Sequence, residues 1–238
     1  MYDFTDRVVM VAGATGNLGT AVARAFQAAG AKLVLVDRSA DRLARMFPDL
    51  ASSPHSFLAN SVDLTNAEAV AGMVEETVRR FGRIDVLANT AGGFRGGTPS
   101  HETPQETWDF LFNLNVRAIL VPCRSVVPQM LAQGSGKIIN VAARAALSGS
   151  AGLSAYTASK SAAVRLTESM AAELKDQGIN VNCILPGTID TPQNRQDRPD
   201  VDPGRFVTPE ALADVILFLA SDAARAIHGA AIPVYGRS

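Results

Sequence analysis

The chain is poor in the residues that build disulfide frameworks and metal centres, with 2 cysteines and 3 histidines in 238 residues. Cys123 and Cys183 stand far apart with no motif around either, which reads as two buried, inert thiols. His55, His101 and His228 are equally scattered, so no metal-ligand spacing forms and no metal is expected. Charge of one sign is not in excess: 22 Lys and Arg face 23 Asp and Glu, leaving a formal charge of -1. Such a chain has no field to draw it onto nucleic acid or an anionic membrane surface, and small molecules are the expected partners. The start, Met1-Tyr-Asp-Phe-Thr-Asp-Arg7, lacks the basic, apolar and small-residue order of a secretory signal. No apolar run approaches bilayer length either, so the expected location is the cytoplasm.

What is present is apolar and periodic. Runs rich in Val, Ile and Leu recur at Arg7–Ala12, Lys32–Val36, Ile84–Ala88, Lys137–Val141 and Ile179–Leu185, without the alternation of a half-exposed strand, as strands buried on both faces require. Phe57–Ala59 and Ala231–Val234 read as two further short strands. Between them, Leu18–Ala29, Ala67–Phe81, Gln105–Leu131, Ala155–Gln177 and Pro209–Ala220 carry helical spacing. Strand and helix alternate along the chain. The expectation is an α/β chain, one domain over residues 1–238, forming a single-domain Rossmann fold. Its doubly wound parallel sheet would be flanked by helices on both faces, with a ligand crevice at the carboxyl ends of the strands. Asp190–Arg205, crowded with Asp, Arg and Pro, reads as a loop, and its place after a strand end makes residues 190–207 a substrate lid.

The first strand runs into Gly13-Ala-Thr15-Gly16-Asn17-Leu18-Gly19 and then a helix, the context of a phosphate-binding turn. The turn calls for Gly13, backbone approach to a pyrophosphate for Gly16, and helix packing for Gly19, while N–H groups at the helix start face the phosphates. Three glycines at this spacing are a modest signal by themselves. Asp37, at the end of the second strand, strengthens it. A carboxylate there accepts bonds from ribose hydroxyls and repels a 2′-phosphate, so NAD(H) is preferred. Arg38 keeps NADP(H) possible, because its guanidinium neutralises that phosphate if the carboxylate turns away.

Tyr156 and Lys160, one helical turn apart, emerge on one face of their helix. A phenol with a pKa of about 10 is a poor acid or base at neutral pH, and an adjacent ammonium is expected to bring it down into the working range. Such pairs also arise by chance, so the surrounding motifs decide. They form a series: Gly13-x-x-Gly16-x-x-Gly19, Asp63 after a strand, Asn89-Thr-Ala91-Gly92, Asn115 in a long helix, Tyr156-Thr-Ala-Ser-Lys160 and Pro186-Gly187-Thr-Ile189-Asp-Thr191. In that order and spacing the chain resembles the short-chain dehydrogenases/reductases over essentially its whole length. The resemblance implies a nicotinamide-dependent oxidoreductase in which Thr15, Asn17 and Leu18 join the glycines at the cofactor. It also implies that Asp63 and Leu64 contact adenine and that Asn89 holds the central sheet beside the cofactor. Ala91, Gly92, Pro186 and Gly187 would line the cofactor, with Ile189 and Thr191 at the carboxamide. Lys160 would bind the nicotinamide ribose, Asn115 would anchor a water in a proton relay, and Tyr156 would exchange the proton with substrate. The apolar surplus of Gln105–Leu131 and Ala155–Gln177, which pair across a two-fold axis in that family, implies a homodimer or homotetramer.

Two departures bear on the chemistry. The family's turn carries Gly where Asn17 stands and Thr where Ala12 stands; Asn tolerates the left-handed region, so the turn is expected to survive. The family's catalytic serine is replaced by Ala143, which removes a donor that typically contributes about 10²–10³ in rate where a carbonyl must be polarised. Ser148 is the rival hydroxyl, but it falls outside the expected position and reads as a turn residue. The quinonoid dihydropteridine reductase branch also carries Ala there and uses NADH. The chain is similar to that branch in Ala91-Gly-Gly-Phe-Arg-Gly-Gly97, in Ala143-Arg-Ala-Ala-Leu-Ser-Gly149 and in Leu185-Pro and Asp190-Thr-Pro-Gln-Asn-Arg195. The expected function is hydride transfer from NADH to a small conjugated acceptor, a quinonoid pterin or a carbonyl. The alternatives are a general carbonyl reductase or alcohol dehydrogenase, and an NAD(H) sensor whose chemistry faded with the serine. A nucleotide-sugar epimerase, suggested by Gly13-Ala-Thr-Gly16, lacks room for its sugar-binding domain.

Overall fold

The computed structural model describes residues 2–238. Seven parallel strands are joined mainly by helical crossovers. In chain order they are β1 (Val8–Ala12), α1 (Asn17–Ala28), β2 (Lys32–Val36), α2 (Arg42–Met46), β3 (Ser56–Ala59), α3 (Ala67–Phe81) and β4 (Val86–Asn89). There follow α4 (Gln105–Phe112), α5 (Ala118–Gln133), β5 (Gly136–Val141), α6 (Ser154–Leu174), β6 (Ile179–Pro186), α7 (Pro192–Asp197), α8 (Pro209–Ala220) and β7 (Ala231–Val234). The sheet order is β3-β2-β1-β4-β5-β6-β7. Strand order therefore reverses between β1 and β4, and a crevice opens there at the carboxyl ends, as expected of a doubly wound sheet.

The unalternating apolar runs have the cause read from sequence, because each strand feeds two cores. Val9, Val11, Leu33, Leu35, Val86 and Ile139 face Val22 and Phe26 of α1 and Leu212 and Ile216 of α8. Their neighbours Val8, Met10, Val34, Val36, Leu87 and Ile138 face Val70, Met73, Ile119, Val126, Met130 and Val164 on the other side. Parallel register, Val9 beside Leu33 and Val86, keeps both sets in line.

Three expectations are corrected. The predicted helix Gln105–Leu131 is one helical run, but Asn113–Arg117 is a π-turn that separates α4 from α5. One extra residue in a turn shifts the hydrogen-bond register without disturbing the apolar pattern, and such turns collect at functional sites. The run Gln105–Gln133 is also long and apolar enough by composition to cross a bilayer, contrary to the sequence reading. Its Ile119, Cys123, Val126 and Met130 pack into the core, which accounts for the apolarity. Third, Asp190–Arg205 is not all loop. Thr191 caps α7 by accepting the Asn194 N–H at 3.1 Å, and Pro192 stands at the first helical position. A single 3₁₀ turn follows at Pro203–Arg205.

Candidate active site

The nucleotide end forms where β1 meets α1. Gly13 has φ of +83°, and a side chain there would press within 2.8 Å of the Ala91 backbone. At Gly19 a Cβ would lie 2.1 Å from the Gly13 carbonyl oxygen, so the third glycine lets the helix close on its own turn. Asn17 is the first residue of α1 and the left-handed conformation belongs to Gly13, so the tolerance invoked for Asn17 is not needed. The start of α1 has no side-chain cap and no acid in its first turn, which leaves its N–H groups for an anion. Thr15 is buried and donates its hydroxyl to Asp37, whose other oxygen accepts the Ser39 N–H at 2.8 Å. The carboxylate is thereby tied to the glycine turn. Asp63 follows β3 and accepts the Thr65 N–H at 2.8 Å and its hydroxyl at 2.7 Å. Those bonds, with the Arg38 charge, hold its carboxyl below the usual range. Arg38 thus lies within electrostatic reach of Asp63. Leu64 is half-buried against the second core. These features fit the adenosine and pyrophosphate of a nicotinamide dinucleotide.

The chemical end collects at the carboxyl edges of β4, β5 and β6. Asn89 donates to Asn140 at 2.8 Å, and Asn140 donates to Thr167 at 2.9 Å, a buried polar chain from β4 through β5 to α6. The Asn89 Oδ1 is buried without a partner. Asn115, in the π-turn, is fully buried: its Oδ1 accepts the Gly93 N–H at 2.9 Å, and its Nδ2 donates to Gly93 O at 3.1 Å and Ser159 Oγ at 3.0 Å. Both of its polar side-chain atoms are engaged in holding the loop after β4. Gly92 has no room for a side chain that would not crowd Lys160 Nζ, 3.1 Å from an added Cβ. Lys160 is buried and donates to Val141 O at 3.1 Å; burial pushes its pKa down to about 8.

Tyr156 sits on the same face of α6. Its pKa is pushed up to about 12 by burial, and this overturns the expectation that the nearby ammonium lowers it. Desolvation penalises the charged form of each partner, the phenolate and the ammonium alike. The phenol is a stored proton at neutral pH. Ala143 is buried with an extended backbone, φ −167° and ψ 159°, and offers no hydroxyl; Ser148 is exposed in a bend. Gly187 is packed against Tyr235 and Ser238, and Pro186 ends β6 beside Val234. Ile189 pairs with Val207, and Asn194 donates to its carbonyl at 2.8 Å, which anchors both ends of the lid segment. Thr191 is buried as the α7 cap. Arg195 grips Asp190 at 2.5 and 2.7 Å.

The sequence reading missed Phe94 and Ser159. The Phe94 ring meets Tyr156 edge-on, centroids 4.9 Å apart, yet is 62% exposed. An exposed aromatic in a glycine-rich loop was its one signal. Cys123 and Cys183 are buried, with pKa values pushed up to about 12 and 11, and neither is set up as a nucleophile. Among the described residues no group of three His, Cys, Asp or Glu comes together.

Comparison with known proteins agrees with this geometry. The model for short chain dehydrogenase matches residues 7–202. The 2-(R)-hydroxypropyl-CoM dehydrogenase of Xanthobacter autotrophicus is 36% identical, covering 97% of each chain. The 3-oxoacyl-[acyl-carrier-protein] reductase FabG of Thermotoga maritima is 32% identical over 97% of this chain and 96% of its own. The solved structure of gox2181 superposes with a TM-score of 0.89 at 28% identity, covering 98% of this chain and 96% of the other. A glycine turn built for a dinucleotide, a Tyr–Lys pair on one helix face and this breadth of likeness have one reading: the chain belongs to the short-chain dehydrogenases/reductases and is an NAD(P)H-dependent oxidoreductase.

Proposed function

We propose that the chain reduces a small conjugated acceptor with NADH, an acceptor of the quinonoid pterin type or an activated carbonyl. The observation that carries this reading is a half-buried Tyr156 phenol, its pKa raised by loss of water, in a site where Ala143 supplies no hydroxyl. A ketone oxygen that gathers charge needs a donor at that position, whereas an electron-poor conjugated acceptor needs a proton more than a polarised oxygen. The branch-level likeness at Ala91–Gly97 and Ala143–Gly149 supports the same choice. NADH is favoured over NADPH because a carboxylate at the end of β2, where Asp37 is tied by Thr15 and Ser39, would repel a 2′-phosphate.

When bound, the nicotinamide supplies the hydride. Tyr156 donates its proton to the heteroatom at the far end of the acceptor's conjugated system, and the phenolate left behind is stabilised by the Lys160 ammonium. Lys160 also serves the cofactor ribose, held in place by Val141 O and by the absence of a side chain at Gly92. Asn115 positions the loop that carries Gly92 and Gly93. The segment from Ile189 to Val207 would cover the acceptor from the β6 side, and Ile189 and Thr191 would hold the carboxamide, as the family resemblance implies.

Steady-state turnover of NADH and NADPH with a quinonoid pterin, a diketone, a quinone and simple ketones tests the reading. Turnover is highest for NADH with a conjugated member. Tyr156→Phe, which keeps the ring and removes the proton, lowers that turnover by about 10²–10⁴ and leaves NADH affinity nearly unchanged. A variant that keeps parental turnover shows that Tyr156 is not the acid and supports a dinucleotide sensor instead.

A further inference from the structure

A cavity of about 340 Å³ lies beside Tyr156, bounded by Phe94, Arg95, Thr98, Thr107, Ser154 and Ala155 among others. Phe94, packed edge-on against Tyr156, is the partition between the reacting end and this space. Its chemistry is one-sided. The Arg95 guanidinium rests 3.6 Å from the Phe110 ring centroid, and no carboxylate among the described residues lies within ion-pair range of it. Among the described residues the hydroxyls of Thr98 and Thr107 have no hydrogen-bond partner, and the Ser154 Oγ is buried without one. A buried hydroxyl with no partner carries a desolvation cost that a ligand atom can relieve.

Two of the three surrounding segments are one-sided. Residues 86–101 and 141–167 contain no Asp or Glu and carry Arg95, Arg144, Lys160 and Arg165, while the third, which supplies Thr103 and Thr107, carries Glu102, Glu106 and Asp109, none of them in ion-pair range of Arg95. Three of these are engaged: Lys160 with Val141 O at 3.1 Å, Arg144 with Ser238 O at 2.6 Å, and Arg165 with Glu168 at 2.7 Å. Arg95 is left with its donor fork uncommitted next to a pocket of hydroxyls. A planar guanidinium with five donors, beside neutral hydroxyls and no acid, matches a carboxylate in shape and charge.

We propose that this cavity is a subsite for a carboxylate of the substrate, and that Arg95 selects acidic acceptors over neutral ones of the same shape. The subsite deepens the reductase reading and rests on it for the meaning of the word substrate. It narrows the acceptor to a conjugated oxo acid or a similarly acidic conjugated molecule, and away from an unsubstituted pterin. Phe94 sets the spacing, because the acidic group and the reducible bond must sit on opposite sides of its ring.

4-Formylcinnamate and its methyl ester, in which the acid stands a ring and a vinyl group away from the conjugated carbonyl, serve as a matched acidic and neutral pair. Isothermal titration of each into the NAD⁺-saturated protein measures binding without turnover, and NADH oxidation measures turnover separately. The expected result is that the parent binds the acid tighter than the ester by about 10- to 100-fold, the range of a charge-assisted contact. Arg95→Met brings the ratio of the two affinities close to one, and Arg95→Lys, which keeps the charge without the fork, retains part of it. Equal affinity for acid and ester in the parent, or a preference that survives Arg95→Met and Arg95→Gln alike, overturns the subsite. An Arg95-dependent preference for the acid with no turnover of either compound upholds the subsite and sinks the reductase reading.

Discussion

Lys160 is an ammonium kept out of water, and its burial has a thermodynamic signature. Its pKa falls from the ordinary 10.5 to about 8. Between those two pH values the unfolded chain holds a proton that the folded chain has released, so this group's contribution to stability rises with pH across that window. The penalty is at its full size below pH 8, on the order of 3 kcal/mol. Lys160→Met is therefore expected to abolish turnover and yet raise the melting temperature of the free protein by several degrees at pH 7. The gain shrinks toward nothing near pH 10.5. Scanning calorimetry at the two pH values checks this, and a Met variant less stable than its parent at pH 7 contradicts it. Ala143 poses a second question at the same scale. Ala143→Ser places a hydroxyl beside the reacting atoms, where it is expected to raise weak ketone reduction by up to about 10² while leaving the best conjugated acceptor unchanged or slower. Parallel assays with Ser148→Ala separate the two hydroxyl positions. A large gain on the conjugated acceptor, or a collapse of the parent's activity in Ser148→Ala, shows that the site depends on a hydroxyl after all.

Among the elements, the turn from β1 into α1 is the least tolerant of change. Gly19→Ala would set a methyl group 2.1 Å from the Gly13 carbonyl oxygen. The Gly13 carbonyl is backbone and cannot swing aside as the Thr90 hydroxyl can, so NADH affinity is expected to fall by at least about 10²-fold while the sheet stays folded. Titration with NADH alongside circular dichroism checks both halves. Such turns were legible in sequence because the constraint acts through residue type, and the strands were legible because burial on two faces demands unbroken Val, Ile and Leu. β4 was found two residues out of place, since Ile84 and Asp85 precede the pairing and Asn89 extends it. The π-turn at Asn115 left no trace, because a change of hydrogen-bond register leaves the apolar face as it was. α7 did leave one, Thr191 followed by Pro192, outweighed by the charge and proline around it. The raised Tyr156 pKa could not be read from spacing, because spacing reports proximity and says nothing of lost water.

For the whole molecule, the two cores leave an apolar surplus on one outer face. Phe112, Leu120 and Leu131 along α4 and α5 are 37%, 46% and 42% exposed. A homodimer or homotetramer is the expected assembly, with that face covered by a second copy, and light scattering at micromolar concentration gives the mass directly. A monomer across that range contradicts it. The same face carries the chain's single tryptophan: Trp108 stacks on Phe112, ring centroids 6.0 Å apart and 25° from parallel. One indole in one place is an optical label that needs no attachment. Covering Phe112 withdraws water from its stacked neighbour, so diluting the protein until subunits part should move the emission toward the red. The same dilution series read in the emission of bound NADH would tell whether the cofactor leaves with the partner or stays behind.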